Sequence, residues 1–86
     1  MNSYQILWKK SAVKELQKLP PDIACSIFSI ISDLSAEPRP HNCKKLISLA
    51  NHYRMRVGDY RVVYRVEDEI LVIEIIRIGH RKDVYR

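Results

Sequence analysis

Two periodicities divide the chain. In the first half apolar residues recur every three or four positions, and from residue 53 onward they alternate with polar ones. Residues 4–8 read as a first strand. Ser11 is placed to cap a helix over 12–18 that buries Val13, Leu16 and Leu19. Pro20 and Pro21 close that helix and open the next, because proline fits a first helical turn. Ile23, Ile27, Ile30, Ile31 and Leu34 then predict a second amphipathic helix to about residue 36. Pro38 and Pro40 end the pair, and residues 44–50 fit either a loop or a short extended piece. A β-hairpin over 53–66, a turn at 67–69 and a strand at 70–78 follow. That last run is too apolar for an edge strand, so it belongs inside the sheet. The order β-α-α-β-β-β predicts one α+β domain over residues 1–86, with a helical hairpin packed on an antiparallel sheet.

The hairpin carries the most chemical information. Tyr53, Met55 and Val57 alternate with Arg54 and Arg56, and Tyr60, Val62 and Tyr64 alternate with Arg61 and Val63. One face is therefore apolar and the other cationic. Gly58-Asp59 is a two-residue signal for a type II′ turn, which pairs Val57 with Tyr60 and Arg56 with Arg61. Like charges directly opposite on a sheet are destabilising, so three guanidiniums on one face point to an anionic ligand, and phosphate suits their planar fork of donors. Glu74 interrupts the apolar strand. A turn of two or four residues after Val66 puts Glu74 on the arginine face as a partner for Arg61, with Leu71, Ile73 and Ile75 in the core. A three-residue turn would bury it at a cost of several kcal/mol.

Composition sharpens this picture. The chain has 86 residues, nearly half of them apolar, enough for one modest core. Its net charge is +5, but residues 39–65 hold seven cations against Asp59 alone, while the flanks nearly balance. Such a concentrated excess is what a nucleic-acid footprint looks like. Cys25 and Cys43 lack metal-site spacing and read as free thiols, one in the helical pattern and one in a loop. No apolar run is long enough to span a bilayer, and the first residues lack a signal-peptide pattern, so the expectation is a cytoplasmic location.

The segment at 78–85, Ile-Gly-His-Arg-Lys-Asp-Val-Tyr, adds His80, Arg81, Lys82 and Tyr85 beyond the last strand, where Gly79 lets the chain turn toward the arginine face. Cations, an aromatic ring and an imidazole are the parts of RNA chemistry. Arginines hold a phosphate and its growing charge, a ring stacks a base, and some group takes a proton from a ribose hydroxyl. Each part also has an ordinary reading. Tyr53, Tyr60 and Tyr64 lie on the apolar face as core residues, His52 and His80 are single histidines, and His41 in its proline-flanked loop gives no signal. The opposed Arg56 and Arg61 are what favour chemistry over a solvated sheet.

The 53–64 run, the apolar strand after it and the 78–85 segment, with Lys44-Lys45-Leu46 and the helical hairpin before them, resemble the RelE side of the RelE/ParE toxin superfamily over nearly the whole chain. The resemblance implies a toxin of a type II toxin–antitoxin system that enters the ribosomal A site of the 70S ribosome and cleaves mRNA. It implies attack of the 2′-hydroxyl on the adjacent phosphate, giving a 2′,3′-cyclic phosphate and a 5′-hydroxyl, with no metal or other cofactor. By this resemblance Arg61 contacts the scissile phosphate, Arg81 stabilises or protonates the leaving 5′ oxygen, and Tyr85 stacks on a base. Arg54, Lys44, Lys45 and Lys82 are RNA-binding candidates. Arg56 stands where the best-known member has a lysine proposed as general base, and arginine is a poor base. Glu74 and His80 are alternative bases, inferred from spacing and chemistry rather than carried over. The implied partners are a cognate RelB-like antitoxin, mRNA and the ribosome, with no membrane. A ParE-like inhibitor of DNA gyrase and a non-catalytic ribosome- or RNA-binding inhibitor of translation are the competing functions.

Overall fold

The computed structural model describes residues 3–80 and Lys82. Strand β1 (Gln5–Trp8) leads into helices α1 (Lys10–Gln17) and α2 (Pro21–Asp33), and then come strands β2 (Cys43–Lys45), β3 (His52–Val57), β4 (Tyr60–Glu67) and β5 (Val72–His80). The sheet order is β1-β5-β4-β3-β2. The last four strands, one more than the three expected after the helices, are antiparallel, and β1 adds a parallel edge beside β5, which makes the sheet mixed. The apolar run thus becomes an interior strand. Among the described residues no helix is long and apolar enough to cross a membrane.

Both helices lie on one face. Ala12, Ile27, Ile31 and Leu34 meet Tyr53, Met55, Val62, Tyr64, Val66, Ile73, Ile75 and Ile78 in a single core. On α1 the fully buried position is Ala12, while Val13 and Leu16 are only half-buried. Ser11 does not cap this helix. Lys9 N–H still donates to the Ile75 carbonyl at 3.1 Å, so the sheet ladder runs up to the helix start and Lys9 takes the extended N-cap position. Pro21 opens α2. Its expected continuation to residue 36 tightens into a turn, with Leu34 N–H on the Ile31 carbonyl at 3.0 Å. The Ser35 hydroxyl then donates to the Tyr4 carbonyl at 2.7 Å and ties the helix end to β1.

Gly58 has φ +58 and Asp59 is not in the left-handed region, as a type II′ turn requires, and Val57 pairs with Tyr60 and Arg56 with Arg61. Between β4 and β5 the turn holds residues 68–71, so Glu67 pairs with Val72 and Glu74 falls on the arginine face opposite Arg65. Leu71 stands outside the strand with φ +54. A β-bulge then corrects the parity of β5. Tyr64 pairs with Ile75 but Val63 pairs with Arg77, leaving Ile76 without a partner. Core positions therefore run 73, 75, 78; unbroken alternation would have driven Arg77 beneath the helices.

Candidate nucleic-acid interface

Strand registers assemble the open face into three cross-sheet rows. One runs Arg56, Arg61, Gly79; a second runs Lys44, Arg54, Val63, Arg77; a third runs His52, Arg65, Glu74, Leu7. Lys44 enters because residues 43–45 form the edge strand β2, which also takes Cys43 out of the loop expected for it. Lys45 pairs with Tyr53 and so belongs to the opposite face.

The three hairpin arginines share a face but not an environment. Arg56 is exposed and Arg54 half-buried, whereas Arg61 is only 4% exposed. Its guanidinium turns back on the hairpin tip, Nη1 donating to the Tyr60 carbonyl at 3.2 Å and more weakly to that of Gly58 at 3.4 Å. The expectation of three solvent-facing guanidiniums is corrected here, because that of Arg61 folds back onto the carbonyls of the hairpin tip instead of extending outward.

Glu74 also takes a different partner from the one expected. Its Oε1 lies 3.2 Å from Arg65 Nη2, and Glu67 Oε1 lies 2.7 Å from Arg65 Nη1. The Glu67 bond is the main reason the Arg65 guanidinium holds its proton more firmly than usual. Arg61 stands opposite Gly79, five residues further along β5, or about 16 Å at strand rise. His80 pairs with Tyr60 on the helix-bearing face, its ring edge-on at 5.6 Å, and its Nδ1 accepts from Lys82 N–H at 3.3 Å. It therefore does not join the arginines. Lys82 is exposed, and Arg81 and Tyr85 lie outside the described residues.

Beside Arg56 the face opens into a cleft of about 220 Å³ lined by His41, Asn42, Cys43, Lys44, Arg54 and Arg56. Asn42 Nδ2 donates to the Arg56 carbonyl at 3.1 Å, which extends the β2–β3 ladder by a rung and fixes the cleft wall. The loop bearing His41 and Asn42 is pinned from below. Tyr64 donates its hydroxyl to the Pro38 carbonyl at 2.8 Å, and burial, then the Cys43 thiol, pushes that phenol's pKa well up. Arg39 lies 5.0 Å from the centre of the Tyr53 ring and grips both oxygens of Asp68 at 3.1 and 2.7 Å. These bonds, followed by the one from the Tyr4 hydroxyl, hold the Asp68 carboxyl below its usual range.

Such a face can hold a chain of phosphates. Residues 6–85 match the family described as the ParE toxin of the type II toxin–antitoxin system parDE. The chain belongs to the RelE/ParE family of toxins. It is 36% identical over 84 residues to toxin RelG of Mycobacterium tuberculosis, covering 96% of this chain and 97% of that one. Its fold matches the M. tuberculosis RelBE2 toxin–antitoxin complex with a TM-score of 0.80 at 36% identity, over 92% of this chain and 99% of that one. It also matches the archaeal RelE–RelB complex of Pyrococcus horikoshii with a TM-score of 0.83 at 33% identity, over 92% and 96% of the two chains.

For a RelE/ParE toxin the sequence located the cationic strands but missed the cleft. His41, which gives no signal in its proline-flanked loop, and Asn42 gain a place beside Arg56 because residues 43–45 form β2. The signal was available: pairing Lys44 with Arg54 places residue 42 beside Arg56 and residue 41 next to it.

Proposed function

We propose that this RelE/ParE toxin is an endoribonuclease that cleaves mRNA in the ribosomal A site by 2′-hydroxyl attack on the adjacent phosphate. The observation that carries this reading is the cleft where exposed Arg56 joins Arg54 and Lys44, three cations on neighbouring strands and wide enough for a ribose-phosphate link. Guanidiniums grip phosphate oxygens in pairs and offset the charge that grows on them at the transition state. Arg61, buried opposite Arg56 on the neighbouring strand, contributes its charge. Lys45, on the opposite face, and exposed Lys82 lie outside the cleft and would add only to the overall positive charge that a ribosomal RNA surface attracts. By family resemblance Arg81 serves the leaving 5′ oxygen and Tyr85 stacks a base. Arg56 stays protonated and acts as an electrostatic group, not a base.

A RelB-like antitoxin is the partner that fits, since relatives of the same fold were crystallised with RelB. An acidic, amphipathic segment of such a protein would neutralise the cationic face.

The test is primer extension on messages from cells expressing the toxin. Codon-phased cuts are expected, and Arg56→Ala, an exposed position, should abolish most of them while the protein still folds. The ParE description of the matched family favours gyrase inhibition as the second reading; induction of the DNA-damage response without cuts would support it. Blocked translation with intact message would instead mark a non-catalytic ribosome-binding protein.

A further inference from the structure

We propose that His41 is the general base that takes the proton from the attacking 2′-hydroxyl; this rests on the ribonuclease reading above. The cations of the cleft leave one part of the chemistry unfilled. A ribose hydroxyl must lose its proton as it attacks, yet the cations of the cleft cannot receive it, because lysine and arginine side chains carry their protons at neutral pH. Some neighbouring acceptor is needed.

The described residues offer few, and position separates them. Glu67 and Glu74 are both bound to Arg65, two rows from Arg56. His52 sits in that same row, with Nδ1 against the Ala50 carbonyl at 2.8 Å. His80 packs on Tyr60 on the helix-bearing face. Asp59 lines a hollow with Asp22, Ile23 and Ser26 of α2 and is not among the residues of the cleft. Cys43 lines the cleft but pairs with Met55, which sets its side chain on the helix-bearing side. His41 alone among these combines an exposed imidazole with a wall of the cleft that Lys44, Arg54 and Arg56 complete. Imidazole is also the side chain whose neutral form is available at physiological pH.

The loop holding His41 is built to keep it there. Asn42 is bonded to the Arg56 backbone, Cys43 N–H donates to the Pro40 carbonyl at 3.0 Å, and Pro38 and Arg39 are fastened to Tyr64, Tyr53 and Asp68. A phosphate seated on Arg54 and Arg56 would present its neighbouring ribose toward this wall. In the step itself, a His41 ring nitrogen accepts the 2′-O–H proton as the 2′ oxygen forms its bond to phosphorus. The bond from phosphorus to the 5′ oxygen breaks, its electron pair leaves with that oxygen, and water supplies the proton that makes the 5′-hydroxyl. The imidazolium returns its proton to the resulting hydroxide. No electron changes hands and no further reactant is required.

The experiment is single-turnover cleavage of message on programmed ribosomes by purified toxin, comparing wild type with His41→Ala and His41→Gln. Both variants should melt like wild type, since the side chain is exposed, and should bind the programmed ribosome with unchanged affinity. Cleavage should slow by roughly 100-fold or more, the usual scale for losing a general base. Added free imidazole should restore part of the rate to His41→Ala and none to His41→Gln, whose side chain still fills the site. Wild-type rates in either variant would overturn the assignment, and so would a slow His41→Ala that imidazole leaves unchanged. Absence of cleavage by wild type would instead fail the ribonuclease reading itself.

Discussion

Arg56 and Arg61 face each other across two strands, yet one is open to water and the other is 4% exposed. Their substitutions should therefore differ in kind. Arg56→Ala removes an exposed side chain and should shift folding stability by less than about 0.5 kcal/mol. Arg61→Ala leaves the Tyr60 and Gly58 carbonyls without their guanidinium donor and opens a hole in the middle strand. It should cost about 2 kcal/mol, the scale of a hydrogen bond to a charged group. Urea unfolding midpoints of the two variants test this, and equal stability would remove the structural role assigned to Arg61. The practical consequence is that lost toxicity in Arg61→Ala implicates chemistry only when folding has been measured alongside it. Alternation in the sequence told which face Arg61 occupies; it carried no information on depth, because depth depends on how the guanidinium folds back on the hairpin tip, and Val63 and Arg65 on the same face of β4 are only half-buried.

At the scale of elements, the loop from residue 37 to 42 is held by side chains rather than by a ladder. Asp68 is the key to it, bonded by Arg39 and by Tyr4, so it ties that loop, β1 and the β4–β5 turn together. Its carboxyl titrates below the ordinary 3.8 when folded. The stabilisation is therefore complete above the unfolded value and disappears as pH falls through the depressed folded value. Asp68→Asn should be less stable than wild type at neutral pH, and the gap should close in acid below about pH 4. Unfolding curves across that range decide it; a constant gap would mean the carboxylate charge is irrelevant. How well each element could be read from sequence followed from how local its cause is. The β3–β4 hairpin was legible because Gly58-Asp59 and strict alternation specify it within a dozen residues. Strand β2 was not, since three residues become a strand only through pairing with β3. The bulge at Ile76 was equally hidden, because Ile75 and Ile76 are chemically alike and only the partner strand distinguishes them.

For the molecule as a whole, charge placement governs how the proposed ribonuclease would meet RNA. The cations of residues 39–65 end up largely on the face away from the helices, with Arg65 neutralised by Glu67 and Glu74 and Arg39 by Asp68. Lys44, Arg54 and Arg56 line the cleft, Lys44 and Arg56 exposed and Arg54 half-buried. Affinity for single-stranded RNA should fall as salt rises, and Arg56→Ala should flatten the plot of log affinity against log salt by about 0.7, the value of one phosphate contact. Fluorescence anisotropy over a salt series measures this; an unchanged slope would place Arg56 away from phosphate.

The parallel pairing of Gln5 with Val72 has a consequence for birth rather than for binding. One margin of the sheet stays unzipped until the 72–80 segment has left the exit tunnel, so the nascent polypeptide cannot mature early. Until then Ile6 and Trp8 lack the neighbours, Ile73 and Ile75, beside which they come to rest.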